Sequence, residues 1–342
     1  MKKQLVVLNL CGLGFAALAS AGEITIRNDV PRTDTTGAIV DAHAGRLVRF
    51  GGRYYLYGDN YRNTDGINDA QNYFVCYSSS NLMDWKFEGE IIPKEALPGW
   101  KEKTYRYRPH VVYNAKTRKY VLFYNWRPVP QSFAQGNYVV ATADAPTGPF
   151  TVVERDFQTK QHPTEVGDFN LFVDADGSAY LAYKIANTAP SNRGANFIER
   201  LSDDYLGSSG VCSAVVGHGE AIAMFKRADR YYIVYGKDCC YCPEGSNIYV
   251  KLADAPLGPY RDNVPLDIRA DKLINAQSTH VAELETTGGS AFIYMGDRWR
   301  SAPGCAYFKG HDYQYWSEPL RFDERGNILP IVWKDQWSVR LK

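Results

Sequence analysis

The sequence predicts an all-β chain folded as a five-bladed β-propeller. Three observations carry that reading: a Tyr-rich strand motif that recurs five times, a turn signal before the copies, and a composition of strand and turn formers. The copies are Arg53-Tyr54-Tyr55-Leu56-Tyr57-Gly58, Lys119-Tyr120-Val121-Leu122-Phe123-Tyr124, Ala179-Tyr180-Leu181-Ala182-Tyr183, Tyr231-Tyr232-Ile233-Val234-Tyr235-Gly236 and Ala291-Phe292-Ile293-Tyr294-Met295-Gly296. Their anchor aromatics, Tyr55, Tyr120, Tyr180, Tyr232 and Phe292, are separated by 65, 60, 52 and 60 residues. The 342 residues include 25 Tyr, 15 Phe, 7 Trp, 29 Gly and 17 Pro, which favours strands and turns over helices.

Residues 1–21 stand apart from the repeat. Lys2-Lys3 precedes an apolar stretch from Leu5 to Leu18 and then Ala19-Ser20-Ala21, the pattern of a secretory signal with small residues at its cleavage site. The stretch is short for a membrane anchor and is interrupted by Asn9, Gly12 and Gly14, and no later segment is apolar enough to span a bilayer. Leu10 before Cys11 is too bulky for a lipid-attachment site. Residues 22–342 are then expected to form a single propeller domain in a secreted or periplasmic protein.

Along that domain each anchor strand follows a strand-like run and a tight turn, as in Leu47-Val48-Arg49-Phe50-Gly51-Gly52 and Leu171-Phe172-Val173-Asp174-Ala175-Asp176-Gly177, so each unit opens as a β-hairpin. Further strands follow the hairpins, such as Tyr73-Phe74-Val75-Cys76-Tyr77 and Tyr138-Val139-Val140-Ala141. A second echo sets Ala143-Asp144-Ala145-Pro146-Thr147-Gly148-Pro149-Phe150 against Ala253-Asp254-Ala255-Pro256-Leu257-Gly258-Pro259-Tyr260, 110 residues later, about two units on.

Charge and cysteine content narrow the function. With 39 Lys and Arg against 38 Asp and Glu the formal net charge is +1, which supplies no electrostatic attraction to nucleic acid or an anionic membrane. Without Cys11 six cysteines remain, Cys76, Cys212, Cys239, Cys240, Cys242 and Cys305, an even number compatible with one to three disulfides after export. Cys239-Cys240-Tyr241-Cys242 lacks the spacing and the nearby His of a zinc site, so no metal and no cofactor is implied.

The repeat also points to chemistry. Twelve residues before the anchors stand His43, Arg108, Asp168, Glu220 and His280, all ionisable. First strands of propeller blades line the central channel, so one phase repeated in five blades maps to one ring of polar groups in one pocket. Two carboxylates there suit acid–base work on a neutral, polyhydroxylated substrate. Glu220, in Gly217-His218-Gly219-Glu220-Ala221, is the candidate general acid: the glycines permit close approach, and Ala221-Ile222-Ala223 offers an apolar wall that favours the protonated form. Asp168, one blade away, would hold that acid protonated by its charge and orient it. Structural salt bridging is the alternative reading for both carboxylates. Tyr107, Trp126, Tyr241 and Trp299 would supply faces for sugar rings, or belong to the core.

On these residues the chain resembles glycoside hydrolase family 43, and within it the branch of exo-β-1,3-galactanases. The matching segments are Ala42-His43-Ala44-Gly45, Arg108-Pro109-His110-Val111-Val112-Tyr113-Asn114, Asp168-Phe169-Asn170-Leu171-Phe172-Val173-Asp174, Glu220-Ala221-Ile222-Ala223-Met224-Phe225-Lys226, Gln277-Ser278-Thr279 and Tyr294-Met295-Gly296-Asp297-Arg298-Trp299. The resemblance implies a five-bladed propeller, inversion at the anomeric carbon, Glu220 as general acid and Asp168 as the residue that tunes it. Ala44 stands where most of the family carries an Asp general base, a loss the galactanase branch shares; that branch implies Gln277 as the group that positions or activates water. Tyr107 stands where similar galactanases tend to carry Glu.

Gln277, three residues before His280, is expected to enter the pocket from the fifth blade, about one loop width from Glu220. Asp41 is its rival: a conventional base if its loop folds inward, a turn or surface residue otherwise. His43, Asp41, Arg108, Tyr107 and Trp299 are the candidate substrate-binding residues, and a polysaccharide or oligosaccharide is the expected partner. Three readings follow: an exported exo-galactanase or related β-galactosidase, a furanosidase acting on arabinofuranose or galactofuranose, and a noncatalytic sugar-binding propeller.

Overall fold

The computed structural model describes residues 22–61, 73–97, 104–128, 136–160, 165–186, 191–237, 246–298 and 313–342. Residues 1–21, and with them the signal segment, lie outside the described residues. After a short strand β1 (Glu23–Arg27) the chain builds five antiparallel sheets in succession, the blades of a five-bladed β-propeller. Blade 1 is β2 (His43–Phe50), β3 (Arg53–Asn60), β4 (Tyr73–Ser79) and β5 (Lys86–Glu90). Blade 2 is β6 (Thr104–Asn114), β7 (Lys119–Pro128), β8 (Asn137–Ala143) and β9 (Thr151–Phe157). Blade 3 is β10 (Val166–Val173), β11 (Ala179–Ile185), β12 (Ala195–Leu201) and β13 (Ser208–Cys212), with β14 (Gly217–His218) also pairing with β12. Blade 4 is β15 (Glu220–Arg227), β16 (Arg230–Gly236), β17 (Tyr249–Ala253) and β18 (Arg261–Asp267). Blade 5 is β19 (Gln277–Thr286), β20 (Gly289–Arg298) and β21 (Tyr313–Trp316).

The anchor motifs all lie on the second strand of a blade, and the Ala-Asp-Ala-Pro echo forms the turn between the third and fourth strands of blades 2 and 4. Second strands are sandwiched between neighbouring blades, so both of their faces are buried and they read as continuous apolar runs; in β11 every residue of Ala179–Ile185 is buried. Among the described residues the apolar interior divides into five clusters. Each spans one junction between neighbouring blades, as with Tyr57, Phe74, Val111, Leu122 and Tyr124 between blades 1 and 2. Aromatics suit these junctions because they bury large areas at low entropic cost.

Blades 5 and 1 are joined by the two ends of the described chain. β1 pairs antiparallel with β22 (Gln336–Arg340), and Ile24, Ile26, Trp337 and Leu341 enter the cluster shared by the two blades. Side chains cap the outer edge of β21: Asn28 donates from Nδ2 to Trp316 O at 3.0 Å and accepts at Oδ1 from Trp316 N–H at 2.9 Å, Trp337 Nε1 donates to the same carbonyl at 2.8 Å, and Arg32 Nη1 donates to Gln314 O at 2.8 Å. That covers strand-edge groups that would otherwise be left bare.

Cys76 is a buried thiol inside β4 and takes part in no disulfide, while Cys239, Cys240, Cys242 and Cys305 lie outside the described residues. The inner strands β2, β6, β10, β15 and β19 pack side by side in a closed ring, as expected, but each carries a β-bulge near its start. The register slips between His43 and Arg46, Tyr107 and His110, Val166 and Phe169, Glu220 and Ala223, and Ser278 and His280. An extra residue bends the strand and re-aims the side chains on either side of it. All five inner strands carry one such residue, but the hairpins pair Tyr55, Tyr120, Tyr180, Tyr232 and Phe292 with residues 7, 7, 8, 7 and 9 positions back, so a constant count from the anchors does not mark a single level of the channel.

Candidate active site

The bulges place the site. Inside them Ala44, Arg108 and Ala221 hold φ of 53°, 61° and 57°, a left-handed backbone that non-glycine residues seldom adopt and that the surrounding structure must enforce. Three carboxylates, Asp297, Asp59 and Asp168, do so by accepting the N–H groups that these turns release. Asp297 Oδ2 accepts from Ala44 N–H at 2.6 Å, and Asp168 Oδ2 accepts from Ala221 N–H at 3.0 Å. Gly219, with φ of 152°, allows the chain to reach Glu220; a Cβ there would lie 2.0 Å from the carbonyl oxygen of Gly236.

Four of the five residues from the repeat count, His43, Arg108, Asp168 and Glu220, gather where the inner strands begin. The fifth does not, which corrects the single-ring expectation. His280 follows the bulge of β19 and turns down the channel, where its Nδ1 meets Asn170 Nδ2 at 3.1 Å. Its place at the mouth is taken by Gln277, the first residue of the strand.

Asp168 is gripped by Arg108 through two bonds, Nε to Oδ1 at 2.9 Å and Nη2 to Oδ2 at 3.3 Å. Burial works to raise the Asp168 carboxyl, but the charges of Arg108 and Lys184 prevail and hold it below the ordinary carboxylate value. Its charge is thus largely taken up by Arg108, and its link to Glu220 runs through the backbone of Ala221. Arg108 also donates from Nη1 to Ser278 O across the channel at 3.3 Å, and its own N–H donates to Asp59 Oδ2 at 3.2 Å. The Glu220 side chain is 21% exposed. Its Oε1 pairs with Lys184 Nζ at 3.2 Å and its Oε2 accepts from Gln277 Nε2 at 3.4 Å. The carboxylate faces a cation and an amide, whereas Ala221, Ile222 and Ala223, the expected apolar wall, are buried in the sheet behind it.

Gln277 does enter from blade 5, yet it touches Glu220 instead of standing a loop width away. Asp41 is buried, which excludes the surface-turn reading, and it is committed to structure: Oδ1 accepts from Tyr61 N–H at 3.0 Å and lies 3.3 Å from His43 Nε2. On the other side of the imidazole, Nδ1 lies 3.5 Å from Asp297 Oδ1, and the ring stacks on Tyr61 at 5.1 Å and 11°. Burial alone would depress His43; its bonds to Asp297 and Asp41 outweigh it and raise the imidazolium to about 10. Tyr107 sits half-buried beside the group, with the Arg127 guanidinium 5.6 Å from its ring centre. Trp299 and Tyr241 lie outside the described residues.

Lys184, Asp59 and Asp297 were missed by counting backwards from the anchors. They lie four or five residues after an anchor, at the far end of the second strand, where Asn125 occupies the same place in blade 2. Polar residues closing four otherwise apolar strands are a periodic signal as regular as the anchor spacing. Among the described residues no cluster of three or more His, Cys, Asp or Glu side chains is arranged to hold a metal ion, and no helix is long and apolar enough to cross a membrane.

The sequence profile of glycosyl hydrolases family 43 matches residues 46–309. No curated protein sequence matches the chain. Among solved structures, a GH43 β-1,3-galactosidase is 28% identical with a TM-score of 0.75, over 92% of this chain and 64% of its own. Another GH43 β-1,3-galactosidase, solved with galactodeoxynojirimycin, is 25% identical with a TM-score of 0.74, over 91% of this chain and 99% of its own. An exo-β-1,3-galactanase from Clostridium thermocellum, 23% identical, shares the fold with a TM-score of 0.77 over 93% of this chain and 66% of its own. This chain therefore spans just under two thirds of the first and last of these proteins.

Proposed function

The chain belongs to glycosyl hydrolase family 43, and from that premise we propose that it is an exported, inverting glycosidase that removes galactose from the ends of β-1,3-galactan or a related β-galactoside. The observation that carries this reading is the convergence of Glu220, Asp168 and Gln277 at the channel mouth, with Lys184 and Arg108 as their cationic partners. The 28% identity to a β-1,3-galactosidase supports the sugar. Export rests on Lys2-Lys3 and the apolar stretch behind them.

In this mechanism Glu220 donates its proton to the glycosidic oxygen as the bond breaks. Asp168, neutralised by Arg108, is a positioning residue that holds the Ala221 amide and so the start of β15. Gln277 orients the attacking water; an amide is too weak a base to do more unless it reacts as its imidic tautomer, and an oxocarbenium-like transition state demands little nucleophilic help. Inversion needs about 6.5–9.5 Å between the acid and the group that activates water. The 3.4 Å contact between Gln277 and Glu220 must therefore open when sugar enters, with Gln277 turning away from the acid.

The test is turnover of β-1,3-galactan, arabinogalactan and aryl furanosides, with proton NMR of the first-formed sugar. Galactose released initially as the α-anomer is the expected result. A β-anomer would overturn the mechanism, release only from furanosides would move the enzyme to the furanosidase reading, and no turnover would leave a sugar-binding propeller.

Water activation has its own test. Gln277→Ala should lower turnover and azide should partly restore it, while Asp41→Asn should weaken the fold through His43 and show no azide rescue. Rescue of Asp41→Asn, with Gln277→Ala still active, would assign the base to Asp41.

A further inference from the structure

Below the bulges the channel holds a polar cluster that hydrolysis at the mouth does not use. Arg46 of β2, His110 of β6, Asn170 of β10 and His280 of β19 surround the axis, 9%, 0%, 0% and 5% exposed. Met224 N–H donates to Asn170 Oδ1 at 3.3 Å, which directs the amide nitrogen at His280 Nδ1. That ring nitrogen must accept, so neutral His280 carries its proton on Nε2. The His110 ring lies 6.1 Å from that of His280 at 74°, and among the described residues neither of its nitrogens has a hydrogen-bond partner. Arg46 donates through Nη1 to Leu171 O, and its Nε has no partner among the described residues.

The open valences of this cluster are N–H donors on Arg46, His280 and His110, with one acceptor nitrogen on His110, beside a fixed cation. Among the described residues no carboxylate pairs with Arg46. Glu285 is bound by Arg49, Asp174 is bound by Lys226 at 2.8 Å, and Glu283 is exposed. Burial, then the charge of Arg46, keeps both imidazoles neutral by pushing them well below their ordinary value. Arg46 and His280 also line a cavity of about 880 Å³ at the end of the channel opposite Glu220, which gives solvent ions a route to them. A buried cation without a counter-charge is costly, and one small anion would offset that cost while satisfying donors on two or three blades. Phe169 lies 5.2 Å from the His110 ring, closing that side to anything larger than a few atoms.

We propose that this axial cluster binds a monovalent anion, a halide, between the Arg46 guanidinium and the Nε2–H of His280, with His110 as a third contact. The site is independent of the sugar bound at the other end. The test is thermal unfolding of the full chain in sodium chloride, bromide, formate and gluconate at equal ionic strength, together with anomalous diffraction from crystals grown in sodium bromide. The expected result is a saturable rise in Tm of about 2 °C or more in chloride and bromide relative to gluconate, as for a ligand tenfold above its Kd, and one bromide peak between Arg46 and His280. Arg46→Met should abolish the halide dependence; if that variant does not fold, the bromide peak in the unmodified protein decides. Water density in place of bromide, stabilisation by formate but not by halides, or stabilisation by calcium beyond that of matched chloride would each overturn the proposal.

Discussion

Glu220→Gln is expected to lower turnover of natural glycan by about two to four orders of magnitude, the usual worth of general acid catalysis, while leaving the fold intact. The substitution conserves shape, and the amide oxygen can still accept from Lys184 at the position Oε1 now holds, 3.2 Å away. The backbone of the site should survive because it depends on Asp168 and the Ala221 N–H, not on the Glu220 side chain. The loss should be smallest on aryl glycosides whose leaving groups depart without protonation. Steady-state kinetics on the two substrate types, with circular dichroism to verify folding, make the comparison. Near-wild-type turnover of galactan by a folded variant would remove Glu220 from the chemistry.

His43→Gln should produce the largest loss of stability, about 3–5 kcal/mol, the cost of breaking a buried ion pair by removing one partner. His43 is 1% exposed and stands between Asp41 and Asp297, so its loss leaves two buried carboxylates without their shared cation. The same arrangement makes wild-type stability depend on pH in a definite sense. Because the folded imidazole is raised to about 10 from an unfolded value near 6.5, its contribution is fully present below about pH 6.5. It is lost as pH rises toward about 10, at up to about 1.4 kcal/mol per pH unit. Denaturant unfolding at several pH values between 6 and 10 should therefore show a decline in the wild type that the variant lacks. A variant with the wild-type slope would show that His43 is neutral in the folded protein.

The architecture and most of the residues gathered at the channel mouth are legible in the sequence alone. Tyr55, Tyr120, Tyr180, Tyr232 and Phe292 recur because each blade needs a second strand apolar on both faces, and that requirement is written into composition and spacing. The same periodicity led to His43, Arg108, Asp168 and Glu220. Tertiary structure decided the level and partner of each side chain. In blade 5 the hairpin pairs the anchor Phe292 with Glu283, nine residues back, where blade 1 pairs Tyr55 with Val48, seven back, so a fixed count along the chain put His280 at the mouth, whereas Gln277 holds that place. Likewise nothing local to Lys184, Asp59 or Asp297 shows that they meet Glu220, Arg108 and the Ala44 amide. Those contacts depend on cross-strand register and on how one blade seats against the next, and register is a relation between strands that no single stretch of sequence contains.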